Sequence, residues 1–170
     1  MSKILTVLSQ FERKTFIPSN IICNPQFQAS AHPVGFQATI SAPHVHMFLL
    51  NNMKHKLKNC SYCLDIGTGT GYLTACMGQL VKPDGKVIGI EHVPELADFA
   101  MSKMKKCKLD NVVNILNCEG RNGYTSNMNQ LVQTKNIHPD TNDILFDVIN
   151  IGGCVPYIKD EILKDRKSVV

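Results

Sequence analysis

No apolar run in this chain approaches the roughly 20 residues needed to cross a bilayer, and its N-terminus carries no signal-peptide core. A membrane span or a cleaved leader is therefore not expected, no membrane partner is expected, and the expected compartment is the cytoplasm. Charge of one sign is scarce as well. The 18 Lys and Arg against 14 Asp and Glu leave +4 over 170 residues, with lysines spread among acids along the sequence. That balance gives no reason to expect a nucleic-acid partner. Also missing is a second cysteine pair. Cys60-Ser61-Tyr62-Cys63 is a C-x-x-C, but a structural zinc needs two more ligands at suitable spacing, and a redox pair would open a helix, where this one opens a strand. The seven cysteines are odd in number and scattered through apolar runs (Cys63, Cys76, Cys118, Cys154), the pattern of reduced core thiols. His44 and His46 form an H-x-H at a helix start and point in different directions, so no metal site is expected there or elsewhere. His46 is instead expected to face the site, while His32, His55 and His138 receive no role.

What the chain does have is organised around Leu64-Asp65-Ile66-Gly67-Thr68-Gly69-Thr70-Gly71-Tyr72-Leu73. A short apolar approach meets glycines at alternate positions and then a helix-like run, which reads as strand, tight turn, helix. Glycines reach positive φ and leave no Cβ between the turn and a ligand, and the N–H groups that open the helix point at whatever sits there. Twenty residues beyond Gly71, the apolar run Lys86-Val87-Ile88-Gly89-Ile90 ends in Glu91. An acid at the end of a second strand is placed to accept both ribose hydroxyls of a nucleoside. Dinucleotide sites favour G-x-G-x-x-G around a pyrophosphate; here the spacing is G-x-G-x-G, preceded by Asp65, whose charge would repel a phosphate and suits a cationic ligand.

Around this centre the periodicity predicts a helix over Ser2–Phe11 with Ser2 as N-cap, a loop from Pro18 to Pro33, and over Val34–Ile40 either a short edge strand or a segment that lies over a site. Pro43 opens a helix with Ser41 or Ala42 at its cap and an apolar face on Val45, Phe48, Leu49 and Met53. Then come a helix over Tyr72–Val81, a strand over Val87–Ile90, a helix over Pro94–Cys107, and apolar runs at Val112–Cys118 and Ile144–Ile151. Such alternation requires an α/β fold with a parallel sheet, right-handed crossovers and helices on both faces. The polar stretch Thr125–Asn142 reads as an inserted surface loop. One domain over residues 1–170 is expected, with the N-terminal helix and a substrate-side loop in 1–43 and the cofactor-binding core in 44–170.

The D-x-G-x-G-x-G turn resembles the first motif of class I S-adenosylmethionine-dependent methyltransferases, with their Rossmann-like sheet. Together with Gly35-Phe36-Gln37-Ala38-Thr39-Ile40-Ser41-Ala42-Pro43-His44, Gly85-Lys86-Val87-Ile88-Gly89-Ile90-Glu91-His92 and Gly120-Arg121-Asn122-Gly123-Tyr124, it is similar to the protein-L-isoaspartate (D-aspartate) O-methyltransferase family. The resemblance runs from about Ser2 to Gly153. It implies S-adenosylmethionine as cofactor and isoaspartyl-containing proteins as partners, with methylation of the free α-carboxylate as the first step of repair. Ser41 would hold that carboxylate, and Ala38, Thr39 and Ile40 would line the same wall. Asp65, Ile66, Gly67, Thr68, Gly69, Thr70 and Gly71 would embrace the methionine part, Glu91 the ribose with His92 beside it, and Glu119 and Gly120 the adenine edge. Glu91 and Glu119 stand where the family usually has Asp, which moves each carboxylate by about one C–C bond length.

The family's first N-terminal helix and final strands are missing from the resemblance, so the sheet is expected to be incomplete at its C-terminal end. The fourth strand would then be an edge, through which self-association is expected. Two other readings compete with the enzyme: a non-catalytic S-adenosylmethionine-binding or interaction module, and a nicotinamide-dependent oxidoreductase, which the glycine spacing and Asp65 disfavour.

Overall fold

The computed structural model describes residues 2–23, 25–125, 128, 145–153 and 157–164. Helix α1 (Lys3–Gln10) begins at Ser2, whose hydroxyl accepts the Leu5 N–H at 3.3 Å, and buries Ile4 and Val7. A short 3-10 turn (Arg13–Phe16) follows α1, and the loop expected from Pro18 to Pro33 contains a second (Pro25–Gln28) and gives way earlier to a strand that includes Pro33. That strand, β1 (His32–Gly35), pairs antiparallel with β2 (Ala38–Ile40) around Phe36 and Gln37, both at positive φ. Two consecutive residues of that hand match the twist of the paired strands.

Helix α2 (Pro43–Met53) has Pro43 in its first turn, where a missing N–H costs nothing. Its buried side differs from the expected apolar stripe: His46 and Leu50 are buried, whereas Phe48 is 67% exposed. The rotation is set by packing on Tyr72, whose ring lies 4.7 Å from the His46 ring, centroid to centroid.

The remaining elements alternate as their periodicity requires: β3 (Tyr62–Ile66), α3 (Tyr72–Val81), β4 (Lys86–Glu91), α4 (Pro94–Lys106), β5 (Val113–Asn117), β6 (Val148–Ile151) and α5 (Asp160–Lys164). The four strands β3 to β6 form one parallel sheet in the order β5-β4-β3-β6. β3, in the middle, is buried at every position, which is why Tyr62-Cys63-Leu64-Asp65-Ile66 is almost uniformly apolar. One core, with Leu50, Met77, Leu96 and Met104, lies under α1 to α4; the other, with Leu64, Ile88, Phe146 and Ile162 of α5, lies on the opposite face. The fourth strand is shorter than the apolar run that announced it, because Phe146 makes only an isolated bridge. Ile144 and most of the expected inserted loop fall outside the described residues, as does everything beyond Lys164. Among the described residues β6 has a strand neighbour on one side only, and no helix is long and apolar enough to cross a membrane.

Candidate functional site

Parallel strands all end at the same side of the sheet, and β3 and β4 stop together, with Ile66 opposite Ile90. The N–H groups of Gly67 and Thr68 donate to the Ile90 carbonyl at 2.8 and 3.1 Å, folding the glycine turn over the end of β4. The three glycines then do different things. A Cβ on Gly67 would come within 3.1 Å of the Gly153 backbone, and one on Gly71 within 3.1 Å of both Met104 and Ala100, so these two serve close packing. Gly69, at φ +58°, would project its Cβ into open space. It lies on the open side of the turn, in the cleft lining.

Glu91 closes the other wall. It is 4% exposed, with Oε2 accepting the Gly69 N–H at 2.8 Å and Oε1 accepting the Val93 N–H at 3.0 Å. His92 Nδ1 lies 3.1 Å from Oε1. The carboxylate thus holds the glycine turn against the tip of β4, and Oε2, with one partner here, still has a lone pair for a hydroxyl. Between turn and carboxylate opens a cleft of about 940 Å³, at the upper end of the size range for small-molecule sites. Its floor is apolar, Ile66 and Ile90 under Gly120, where a Cβ would stand 2.6 Å from Ile66. At its rim are Glu119 and Arg121, 3.5 Å apart.

A family model for protein-L-isoaspartate(D-aspartate) O-methyltransferase matches residues 1–163. The chain belongs to that family. Protein-L-isoaspartate O-methyltransferase of Triticum aestivum is 31% identical over 97% of this chain and 66% of its own length. The probable protein-L-isoaspartate O-methyltransferase of Dictyostelium discoideum is 38% identical over 61% of this chain and 33% of its own. The chain spans about one third to two thirds of the length of such curated relatives. In three dimensions it is similar to a Plasmodium falciparum protein described as a putative protein-L-isoaspartate O-methyltransferase in complex with S-adenosyl-L-homocysteine. The TM-score is 0.69 at 21% identity, over 98% of this chain and 80% of that one, a likeness of fold.

Of the residues expected at a methyltransferase site, Ala38, Thr39, Ile66, Gly67, Gly69, Glu91, His92, Glu119 and Gly120 line the cleft. The others lie behind it. Asp65, expected to face a cationic ligand, is 1% exposed and sealed beneath the turn, where it accepts Thr74 Oγ1 at 2.5 Å and Asn150 Nδ2 at 2.8 Å. Strand alternation is the reason: Ile66 takes the cleft side, so its neighbour turns inward. Burial pushes the Asp65 carboxyl above its ordinary pKa, the bonds from Thr74 and Asn150 pull the other way, and the charge of Glu91 adds to the rise. Thr68 and Thr70 are buried within the turn, and Ile40 is buried at the end of the hairpin. Ser41 lies half-buried just before α2, outside the cleft lining, with its carbonyl accepting Arg13 Nε at 3.0 Å.

His46 is 4% exposed and packed on Tyr72, so it faces the core rather than the site. Burial, and secondarily the charge of Arg13, holds its pKa down to about 4. In the unfolded chain it would titrate near 6.5. A depressed value means that the native state binds the proton less well. Stability is therefore complete above about pH 6.5 and falls as the pH drops towards 4, by about 3 kcal/mol at most. His46→Phe should flatten this part of a denaturant-midpoint profile; an unchanged profile would assign the acid sensitivity to another group.

Several cleft residues were not anticipated. Phe36 and Gln37 reach it from the hairpin turn, Arg121 from beyond β5, and Ile151, Gly152, Tyr157 and Lys159 from beyond β6. The signal available for Ile151 and Gly152 was topological, since every parallel strand delivers its carboxyl end to the same rim.

Proposed function

We propose that this chain binds S-adenosylmethionine in the cleft and transfers its methyl group to the free carboxylate of L-isoaspartyl and D-aspartyl residues in damaged proteins, initiating their repair. The observation that carries the reading is the cleft-lining Gly69 hydrogen-bonded to Glu91, which would serve as cradle and ribose acceptor in one unit, in a chain of this family. The residues present fit the cofactor. Glu91 would hold the ribose hydroxyls, the Gly67–Gly69 turn the methionine portion, and Glu119 and Gly120 the adenine edge over an apolar floor. When bound, the cofactor supplies a methyl group on a sulfonium. The chain's own work is alignment: a substrate carboxylate with a pKa near 4 is already ionised at neutral pH, so no residue has to take its proton. Ser41, before the N-terminus of α2, would donate to that carboxylate, and Ala38 and Thr39 would form the wall beside it.

A cytoplasmic location belongs to the same reading. It is supported by Cys23, Cys60, Cys76, Cys107 and Cys118, which stand as thiols. Self-association is also part of it, supported by the one-sided pairing of β6 among the described residues. Sedimentation velocity at rising concentration should show the mean mass increasing; a constant monomer would remove this element.

Calorimetric titration with S-adenosylhomocysteine and, separately, NAD tests the site, and methyl transfer to an isoaspartyl peptide tests the activity. Binding of the former alone together with transfer is expected. NAD binding would overturn the cofactor assignment, and cofactor binding without transfer would leave a binding module.

A further inference from the structure

Read along the chain, lysines and acids are interspersed; folded, they separate. The cleft occupies the carboxyl ends of the strands, and the opposite end of the sheet is capped by the loops that enter β3, β4 and β5. Hydrogen bonds join those loops into one surface: the Asp84 N–H donates to the Asn59 carbonyl at 3.0 Å, Lys82 Nζ to the Lys108 carbonyl at 3.3 Å, and Lys86 Nζ to the Asn111 carbonyl. Lys3 joins them, its Nζ 3.3 Å from the Leu80 carbonyl at the end of α3, beside a hollow of about 270 Å³ shared with Lys54 and His55. Lys54, Lys56 and Lys58 crowd the loop before β3, and Lys105, Lys106 and Lys108 the end of α4 and the loop before β5. Nine of the chain's 18 Lys and Arg therefore sit on this end. Against these nine lysines stand three described aspartates, Asp84, Asp110 and Asp147, the last bonded to the Tyr62 N–H at the start of β3. Among the described residues these nine lysines and three aspartates leave +6 on this end.

We infer that this lysine face docks on the phosphate backbone of a nucleic-acid duplex, leaving the cleft at the far end open. The inference rests on charge placement and not on the methyltransferase reading. Among the described residues the face offers lysines and no arginine, hence point charges instead of the planar forks that read base edges. None of the exposed large apolar or aromatic side chains, such as Phe36, Phe48, Tyr157 or Ile158, lies on its three loops. Stacking on single-stranded bases and insertion into a bilayer both need such groups. Among polyanions without those needs, a duplex carries one charge per about 1.7 Å, about twice the density of an extended acidic peptide at one per roughly 3.3 Å. It therefore releases the most counterions to this surface.

The test is fluorescence anisotropy of the full chain with a labelled mixed-sequence duplex over a salt series. If about six lysines each neutralise a phosphate, Kd should rise roughly 1000-fold between 50 and 200 mM salt. Replacing the exposed Lys54, Lys58, Lys105 and Lys106 together by Gln should lower the log–log salt slope by about 3 to 4, while Lys14→Gln with Lys159→Gln, away from this face, should leave it unchanged. Thermal unfolding of each variant checks that the fold is intact. Absence of duplex binding at low salt, an equal loss in both variants, or tighter binding of polyglutamate or phosphatidylserine vesicles at matched salt would overturn the proposal.

Discussion

Gly69→Val should abolish binding of S-adenosylhomocysteine while leaving a folded protein. The backbone at Gly69 has φ +58°, a conformation that a β-branched residue adopts only under strain. Beyond its chain neighbours nothing lies within 4 Å of the position its Cβ would take, so the added carbons meet nothing in the core and instead enter the cleft, where the proposed ligand would lie. The same change loosens the N–H of residue 69 from Glu91 Oε2, 2.8 Å away, and with it the wall that would receive the ribose. Strain of about 1 to 2 kcal/mol is too small to unfold a typical domain but is sufficient, with the steric block, to empty the cleft. Calorimetry beside a thermal melt separates the two effects. Unchanged affinity in a folded variant would remove the glycine turn from the site.

Ser41→Ala should behave in the opposite way, leaving the affinity for S-adenosylhomocysteine nearly intact and lowering turnover roughly 10- to 1000-fold, as loss of one aligned donor commonly does. The position of Ser41 makes this distinction possible. Its carbonyl is fixed from below by Arg13, a 7% exposed guanidinium that also donates to the carbonyls of Phe27, Ser30 and Ile40. Its hydroxyl stands before the first turn of α2, and its neighbours Ala38 and Thr39 line the cleft wall away from Glu91. The comparison requires a form of the protein with measurable turnover. Equal losses of cofactor affinity and turnover would move Ser41 into the cofactor site.

Much of this architecture was legible in the residues because it depends on local pattern. Apolar runs of strand length, the Gly67–Gly71 spacing and the helical period after Tyr72 led to β3, its turn and α3, the helix with its expected bounds Tyr72–Val81. Alternation and right-handed crossovers account for a parallel sheet with helices on both faces, whereas the order β5-β4-β3-β6 is what the resemblance to class I methyltransferases implies. Glu91 could be placed at the end of β4 by counting from the turn, because a strand end is a position along the chain. What the pattern could not carry was the direction of side chains whose surroundings come from elsewhere in the fold. Asp65 and Glu91 are both acids near strand ends, yet Thr74 and Asn150 bury one while the cleft takes the other. His46 turned inward because packing of α2 on Tyr72, not the apolar period of the helix, set its rotation. Arg13 gave no sign in the sequence of the four carbonyls it gathers. The lysine face was invisible for the same reason. Residues dispersed from Lys3 to Lys108 meet at one end only because parallel strands return every entering loop to the same side of the sheet, so the sequence determined how much charge there is and the tertiary structure decided where it stands.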